Sequence, residues 1–212
     1  NDPSKGALFT RSWEYRMGDY SKASYSKPAT VMNTLERYWG WDMQQRFLKA
    51  YYAKWRFKHP TTRDIQNVAE EISGEDLEWF FSQFVYGVAV VDYSVQSIRS
   101  TKKDDGSYSS TIRVRREQDG GFPLTLRLTY SDGTTKDLEW DGTESWRDFK
   151  LQGGSAVIEA FLDPEFKMLL DINRLNNRLV ANDYADNRFA RKAQLRAISL
   201  YQKLFFVFSG LF

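Results

Sequence analysis

The sequence predicts an α+β fold with two domains, in which a small α-helical bundle is followed by an antiparallel β-sandwich and a C-terminal helix. Apolar residues recur at spacings of three and four between residues 28 and 87, and alternate with polar residues from about residue 92. The alternating runs are separated by Asp-Gly turns, as in a sandwich of hairpins. We expect domains over residues 1–88 and 89–175, then a connector and helix over 176–212.

Four helices are predicted in the first domain, since proline suits a first helical turn and glycine often follows the last one. The boundaries are Pro28 and Gly40, Asp42 and the His59-Pro60 break, Thr61 or Thr62 and Ser73-Gly74, and finally Gly87. The predicted apolar faces are Val31, Met32, Leu35, Tyr38 and Trp39; Phe47, Leu48, Tyr51, Tyr52 and Trp55; Ile65, Val68, Ala69 and Ile72; and Leu77, Phe80, Phe81 and Phe84. The stretch from Trp13 to Tyr25 has no helical period, and we expect it to be irregular.

The second domain is predicted from period-two alternation. Its strand residues are Tyr93, Val95 and Ile98; Ile112 and Val114; Phe122 to Tyr130; Leu138 and Trp140; and Ala156 to Leu162. Residues 104–107 and 131–134 are predicted hairpin turns. The chain after Asp171 is polar, and we expect a connector there.

A last helix is predicted after Asp183, and the chain ends in the apolar run Leu204 to Phe212. A membrane-spanning helix needs about 20 apolar residues, so this run is too short to span by itself. It fits the stub of a longer segment, a packed terminal helix or an interfacial anchor. Weak membrane association through this helix is therefore one expectation, and the compartment stays open between the cell envelope, a membrane-associated position and others.

Composition excludes several classes of function. The chain has 30 Lys and Arg against 28 Asp and Glu, spread along the sequence, which gives no case for nucleic-acid binding. It has no cysteine, so disulfides, thiolate metal sites and a cysteine nucleophile are ruled out. No signal peptide is evident near Asn1, and a chain without an initiator Met is what we expect of a fragment of a longer protein.

No complete catalytic or metal-binding motif is found. A zinc site usually takes three or four His, Cys or carboxylate ligands, and the only histidine is His59, for which we expect a structural role such as a hydrogen bond to loop backbone. We therefore predict no metal or cofactor in this chain. Glu70-Glu71 and Asp104-Asp105 are not convincing acid/base pairs, because neighbours on a helix face apart and the second pair lies in a turn.

Tyrosines recur every five residues at Tyr15, Tyr20 and Tyr25. A phenol can donate a hydrogen bond to a developing oxyanion, which is valuable in acyl-transfer catalysis. The other interpretation is aromatic packing of a loop against the helices.

Three segments in order resemble aminopeptidase-N-like zinc metallopeptidases of the gluzincin group. Tyr25-Ser26-Lys27-Pro28-Ala29 is similar to a Tyr-Glu-Lys-Gly-Ala segment, and Phe57 to Asp64 is similar to Phe-x-His-Pro-Thr-x-x-Asp. Ser73-Gly74-Glu75-Asp76-Leu77 with Trp79 to Phe84 resembles Ser-Gly-x-Asp-Leu and Phe-Phe-x-Gln-Trp. Together they cover residues 20–86 at the family spacing.

The resemblance implies that residues 1–88 are the helical C-terminal part of a peptidase catalytic domain, with a β-sandwich after it. It implies that Tyr25 stabilises the oxyanion in the full-length protein, and that Tyr20 falls where some members have a second active-site tyrosine. Ser26 and Pro28 depart from the usual Glu and Gly. The zinc motif and the substrate-amine motif lie upstream of Tyr25 in the family, and the large terminal helical domain of many members is also absent here.

We therefore expect a C-terminal fragment of a zinc-dependent metallopeptidase, most simply an aminopeptidase acting on peptides, that is inactive without the missing N-terminal catalytic portion. Zinc is expected only in the full-length protein. The alternative is a non-catalytic peptidase-like scaffold or protein-interaction module.

Overall fold

The computed structural model describes residues 6–15 and 19–181. Within these ranges the order is a helical part, then a β-sandwich, as the sequence predicts. The α-helices are α1 (Lys27–Trp39), α2 (Trp41–Trp55), α3 (Thr62–Ser73) and α4 (Glu78–Phe81). The strands are β1 (Tyr93–Lys102), β2 (Tyr108–Arg116), β3 (Leu124–Tyr130), β4 (Thr135–Trp140), β5 (Trp146–Gly153), β6 (Val157–Leu162) and β7 (Arg178–Val180).

The helix boundaries follow local chemistry. Gly40 separates α1 from α2 with φ of 86°, and Gly74 ends α3 in the left-handed conformation, which glycine adopts without steric cost. Thr61 caps α3 in a capping box, in which its side chain accepts from the Asp64 N–H and the Asp64 carboxylate accepts from the Thr61 N–H. Of the two threonines that could cap this helix, Thr61 is the one that does so.

Part of the helical prediction is wrong in detail. The stretch before Pro28 is helical from Tyr20, with a short 3₁₀ turn at Ser12–Glu14, so it is not irregular throughout. On α2, Leu48 and Tyr52 are 44% and 64% exposed, so only one side of the predicted stripe is packed. Helix α4 spans one turn and continues as a π-helix over Ser82–Tyr86.

The sandwich has two antiparallel sheets, with strand orders β1-β2-β5 and β4-β3-β6-β7. The hairpins β1-β2 and β3-β4 are closed by the predicted Asp-Gly turns, in which Asp105 and Asp132 each accept a backbone N–H two residues on. The inward residues Ile112 and Val114 on β2, and Leu126 and Leu128 on β3, are fully buried. These are the alternating positions that the sequence pattern selects.

The sequence pattern does not predict two of the strands, β5 and β7. In β5 the inward apolar residues are Phe149 and Leu151, and both are half-buried. Two alternating apolar residues are too few to predict a strand. β7 has three residues and lies in the predicted polar connector, yet it pairs with β6, with Leu179 opposite Ala160. The short strand forms because it pairs with the free edge of β6, and the local sequence gives no sign of this pairing.

The helical part and the sandwich share one hydrophobic core. Phe122, just before β3, is fully buried and meets Tyr38 of α1 edge-to-face, with ring centroids 5.6 Å apart. It also meets Trp79 of α4 at 5.8 Å. Such edge-to-face pairs stabilise beyond the area they bury. The division into domains near residue 88 stays a prediction, and the aromatic contacts show that the two parts are in direct contact.

Among residues 6–15 and 19–181, no helix combines the length and the apolar character that crossing a bilayer requires. The helix predicted after Asp183 and the apolar run Leu204 to Phe212 lie outside the described residues.

Candidate functional site

Tyr25 lies on a π-helical turn that leads into α1. The turn spans Lys22–Ser26, and the Lys27 N–H donates to the carbonyl of Lys22, five residues earlier. Pro28 follows in the first turn of α1, where its ring would crowd the carbonyl four residues before it in a regular α-helix. Widening the turn relieves that crowding, and π-turns of this kind are often found at functional sites.

The three regularly spaced tyrosines contact one another in sequence, with Tyr25 on this turn, Tyr20 in the helical residues before it and Tyr15 in the preceding segment. Tyr20 and Tyr25 meet edge-to-face with centroids 6.2 Å apart and planes 77° apart. Tyr15 and Tyr20 meet in the same way at 6.5 Å and 69°. We call Tyr15, Tyr20 and Tyr25 the tyrosine ladder. The structure thus brings together both tyrosines that the sequence predicts as site residues and adds Tyr15 to them.

Tyr25 ends the ladder on the solvent side. Its side chain is 65% exposed, and Tyr20 is 42% exposed. Within the part of the chain that the structure describes, the Tyr25 hydroxyl has no hydrogen-bond partner, whereas the Tyr15 hydroxyl donates to the carbonyl of Ala7 at 2.9 Å. Tyr25 therefore has a phenolic O–H that is free to donate to a group outside the described residues.

The segment Gly6–Tyr15 holds the Tyr15 end of the ladder against the helical part. Ala7 is fully buried, and the Leu8 N–H donates to the carbonyl of Val85 at 2.9 Å. The Lys27 ammonium donates to the carbonyl of Gly6 at 2.8 Å, and its burial lowers the pKa of Lys27. This segment shows no periodicity in the sequence, so its role in the site could not be predicted.

His59, the one histidine, does not join the ladder. It lies exposed between α2 and α3, and no hydrogen bond from its ring is formed within the described ranges. The predicted hydrogen bond to loop backbone is therefore not seen in that part of the chain. The break that His59-Pro60 predicts between two helices is confirmed.

A polar network that the sequence did not reveal joins α3 to α4. Gln66 is 1% exposed, and its amide donates to Glu70 at 2.9 Å and to Glu78 at 2.8 Å. Arg63 donates to Glu78 at 3.0 Å and stacks over the Tyr86 ring at 5.3 Å. Hydrogen bonds from Gln66 and then Arg63 lower the pKa of Glu78. Each carboxylate is engaged, so this network is structural.

Glu70, Glu71 and Asp105, from the two acidic pairs, have structural partners too. Glu70 also accepts the Leu77 N–H, and Glu71 pairs with Lys54 at 2.8 Å. Asp105 accepts the Ser107 N–H, and its hydrogen bonds with Ser107 lower the pKa of Asp105.

The described residues do not fit a zinc ion. Within residues 6–15 and 19–181, no three His, Cys, Asp or Glu side chains gather in a group that could hold a metal. The chemistry that the described site itself offers is hydrogen-bond donation from Tyr25, on a turn supported by Tyr20 and Lys27.

Comparison with known proteins shows what the chain resembles. No protein-family model matches the chain. Aminopeptidase M1-D of Oryza sativa subsp. japonica is 31% identical over 120 residues, which cover 53% of this chain and 13% of the rice protein. The crystal structure of Legionella pneumophila aminopeptidase A in complex with aspartic acid matches with a TM-score of 0.51 at 17% identity. That match covers 80% of this chain and 20% of the Legionella chain.

The chain therefore spans only a small part of either protein. The sequence match confirms the aminopeptidase resemblance predicted from the three motifs. The structural match supports the fold, a helical part followed by a β-sandwich.

Proposed function

We propose that this aminopeptidase-like chain is the C-terminal portion of a zinc-dependent peptidase, most simply an aminopeptidase, and that it works together with an N-terminal portion that holds the metal. The carrying observation is the exposed phenol of Tyr25, on a π-turn at the position that the motif resemblance assigns to the active site. The limited span of the sequence match, 13% of the rice aminopeptidase, is what such a portion would give.

In the proposed reaction, Tyr25 donates its phenolic O–H to the oxygen of the peptide carbonyl as negative charge develops there. A donor fixed in advance is worth much more than one that must be oriented during the reaction. The free hydroxyl and the ring contact with Tyr20 both support this role. In the proposal the N-terminal portion binds the metal, since the resemblance puts the family's zinc motif upstream of Tyr25.

The helical part carries exposed aromatic side chains. Trp13, Trp41 and Phe57 are 76%, 57% and 98% exposed. Aromatic side chains are enriched in interfaces between protein parts. We propose that some of them pack against the N-terminal catalytic portion.

The first experiment measures zinc content and aminoacyl-anilide hydrolysis of the purified chain. We expect neither stoichiometric zinc nor turnover. Zinc bound one-to-one together with hydrolysis would overturn the proposal that the metal lies elsewhere.

The second experiment uses a chain extended upstream through its own coding sequence. Tyr25→Phe should lower kcat by about 10²–10³-fold, the usual effect of removing one oxyanion donor, with little change in KM. Tyr52→Phe, at another exposed tyrosine, is the matched control and should keep full activity. Equal activity of the two variants would remove Tyr25 from the mechanism.

The alternative is a non-catalytic scaffold with a peptidase-like fold. The departures from the family motif at Ser26 and Pro28 favour it. A His-Glu-x-x-His motif with a downstream Glu in the upstream coding sequence would decide for the enzyme, and its absence there would decide for the scaffold.

A further inference from the structure

Tyr25 lies on the widened turn Lys22–Ser26, and Tyr20 lies in the helical residues just before that turn. Residues five apart on a regular α-helix lie about 140° apart around the axis, since each residue turns by about 100°. In the π-turn the hydrogen bond joins residues five apart, here Lys27 and Lys22. Widening this turn brings side chains five apart nearer to one side of the helix, which favours the contact between the Tyr20 and Tyr25 rings.

The ladder is anchored in the core at its inner end. Tyr15 holds the carbonyl of Ala7, a residue with no exposed surface, and the adjacent Leu8 is tied to Val85 by a backbone hydrogen bond. Phe9 adds an edge-to-face contact with Tyr86 at 5.9 Å. Tyr15 is thus fixed against the helical part that contains Val85 and Tyr86.

The Tyr25 ring has little else to hold it. It is mostly exposed, and its one ring-to-ring contact within the described residues is with Tyr20. An exposed side chain with free rotation would sample several rotamers, and a hydrogen-bond donor spread over rotamers is a poor oxyanion donor. Edge-to-face contact with a ring that is itself held favours one orientation.

We propose that Tyr20 is a positioning residue, which orients the Tyr25 phenol through ring contact, and that Tyr15 anchors Tyr20. This inference rests on the proposed role of Tyr25. It makes the ring of Tyr20 the active part and its hydroxyl dispensable. It also assigns a purpose to the Gly6–Tyr15 segment, which fixes the inner end of the ladder.

The test is NMR on this chain with ring-labelled ¹³C-tyrosine, with the Tyr25 signals identified by their loss in Tyr25→Phe. In the unsubstituted chain, the Tyr25 ring should show ring-current-shifted signals and cross-peaks to Tyr20. In Tyr20→Leu the cross-peaks are lost and the Tyr25 signals move toward unstructured positions. In Tyr20→Phe, which keeps the ring, the shifted Tyr25 signals remain.

Two further variants complete the design. Tyr15→Phe removes the hydrogen bond to Ala7 and should reduce the Tyr25 shift in part. Tyr52→Leu, at an exposed tyrosine on α2, is the control and should leave Tyr25 unchanged. Thermal melts verify that each variant is folded, and the Tyr20→Phe variant keeps the test decisive if Tyr20→Leu unfolds.

Unchanged Tyr25 signals in a folded Tyr20→Leu chain would overturn the positioning role, as would loss of the shift in a folded Tyr20→Phe chain. The readout does not involve activity. If the ladder behaves as expected while Tyr25→Phe leaves peptidase activity intact in the extended chain, the proposed role of Tyr25 in the reaction fails and the ladder stands as a structural feature.

Discussion

Gln83 and Gly121 are joined by a two-way hydrogen bond. The side-chain carbonyl of Gln83 accepts the Gly121 N–H at 2.6 Å, and its amide group donates to the Gly121 carbonyl at 3.2 Å. The same amide donates to the carbonyl of Trp79 at 2.6 Å. One side chain thus satisfies polar backbone groups on both the helical part and the loop that leads into β3.

Removing this side chain should destabilise the protein. Gln83→Ala removes the side-chain partner of the Gly121 N–H and carbonyl and of the Trp79 carbonyl, which keeps the Ser82 hydroxyl, and we expect a loss of about 1–3 kcal/mol in the free energy of unfolding. Urea unfolding followed by circular dichroism measures it. The matched control is Gln152→Ala, at an exposed glutamine of β5, which should change stability by less than about 0.5 kcal/mol. Similar losses in the two variants would contradict a stabilising role for the Gln83 hydrogen bonds between the helical part and the loop before β3.

Alanine substitutions at two glycines distinguish the cost of backbone strain from the cost of a steric clash. Gly106 and Gly142 have φ of 83° and 69°, so an alanine at either position is strained. A Cβ on Gly106 meets nothing within 4 Å, whereas on Gly142 it would lie 2.3 Å from the Phe122 carbonyl oxygen and 2.6 Å from the Tyr93 hydroxyl. We expect Gly106→Ala to cost about 1–2 kcal/mol and Gly142→Ala clearly more. Chemical denaturation of both variants tests this order, and equal costs would mean that the loop at Gly142 gives way freely.

Tyr93 should govern part of the response to alkaline pH. It is fully buried, donates to the Phe122 carbonyl and accepts the Phe122 N–H at 2.6 Å. Burial raises the pKa of Tyr93 above its ordinary value of 10.0. Since the fold disfavours the phenolate, this contribution to stability is complete below pH 10 and is lost as the pH rises above it.

Tyr93→Phe tests both effects. The variant should be less stable at pH 7 by about 1–3 kcal/mol, because the Phe122 N–H loses its acceptor. Its stability should then fall less steeply than that of the unsubstituted chain between pH 10 and 12. The other tyrosines are common to both chains, so the difference between the two pH profiles reports on Tyr93. Parallel profiles would show that Tyr93 ionises in the folded state as easily as in the unfolded state.

The capping box at α3 gives a prediction that distinguishes neighbouring threonines. Thr61→Ala removes the side-chain half of the capping box, although the Asp64 N–H keeps the Thr61 carbonyl as an acceptor, and it should lower stability by about 1 kcal/mol. Thr62→Ala, one residue on and inside the helix, should be neutral or slightly stabilising because alanine is the better helix former. Thermal unfolding of both variants is sufficient. A larger loss at Thr62 would reverse the assignment of the cap.

The elements that the sequence predicts well are those whose signals are local. Gly40, Gly74 and the His59-Pro60 break define helix ends by backbone chemistry alone. The alternation from Phe122 to Tyr130 places Leu126 and Leu128 in the core for the same reason. In contrast, β7 depends on the edge of β6, and the exposure of Tyr52 depends on which side of α2 the other helices cover.

The site divides in the same way. The five-residue spacing of Tyr15, Tyr20 and Tyr25 is plain in the sequence, but its meaning depends on a π-turn. A helix-period search treats such a spacing as irregular, because it tests for 3.6 residues per turn. The anchoring of Tyr15 on Ala7 is a tertiary contact with no sequence signature.

Phe122 has a consequence for any attempt to divide the protein. Its ring is enclosed by Tyr38 and Trp79 from the helices, yet it belongs to the loop that enters the sandwich. Truncation at Gly87 would leave both partner rings facing water, and expression of the later residues alone would leave Phe122 uncovered. Neither half alone would keep the packing it has in the whole protein. Truncation experiments should therefore keep the boundary near residue 88 intact and shorten the chain from its ends.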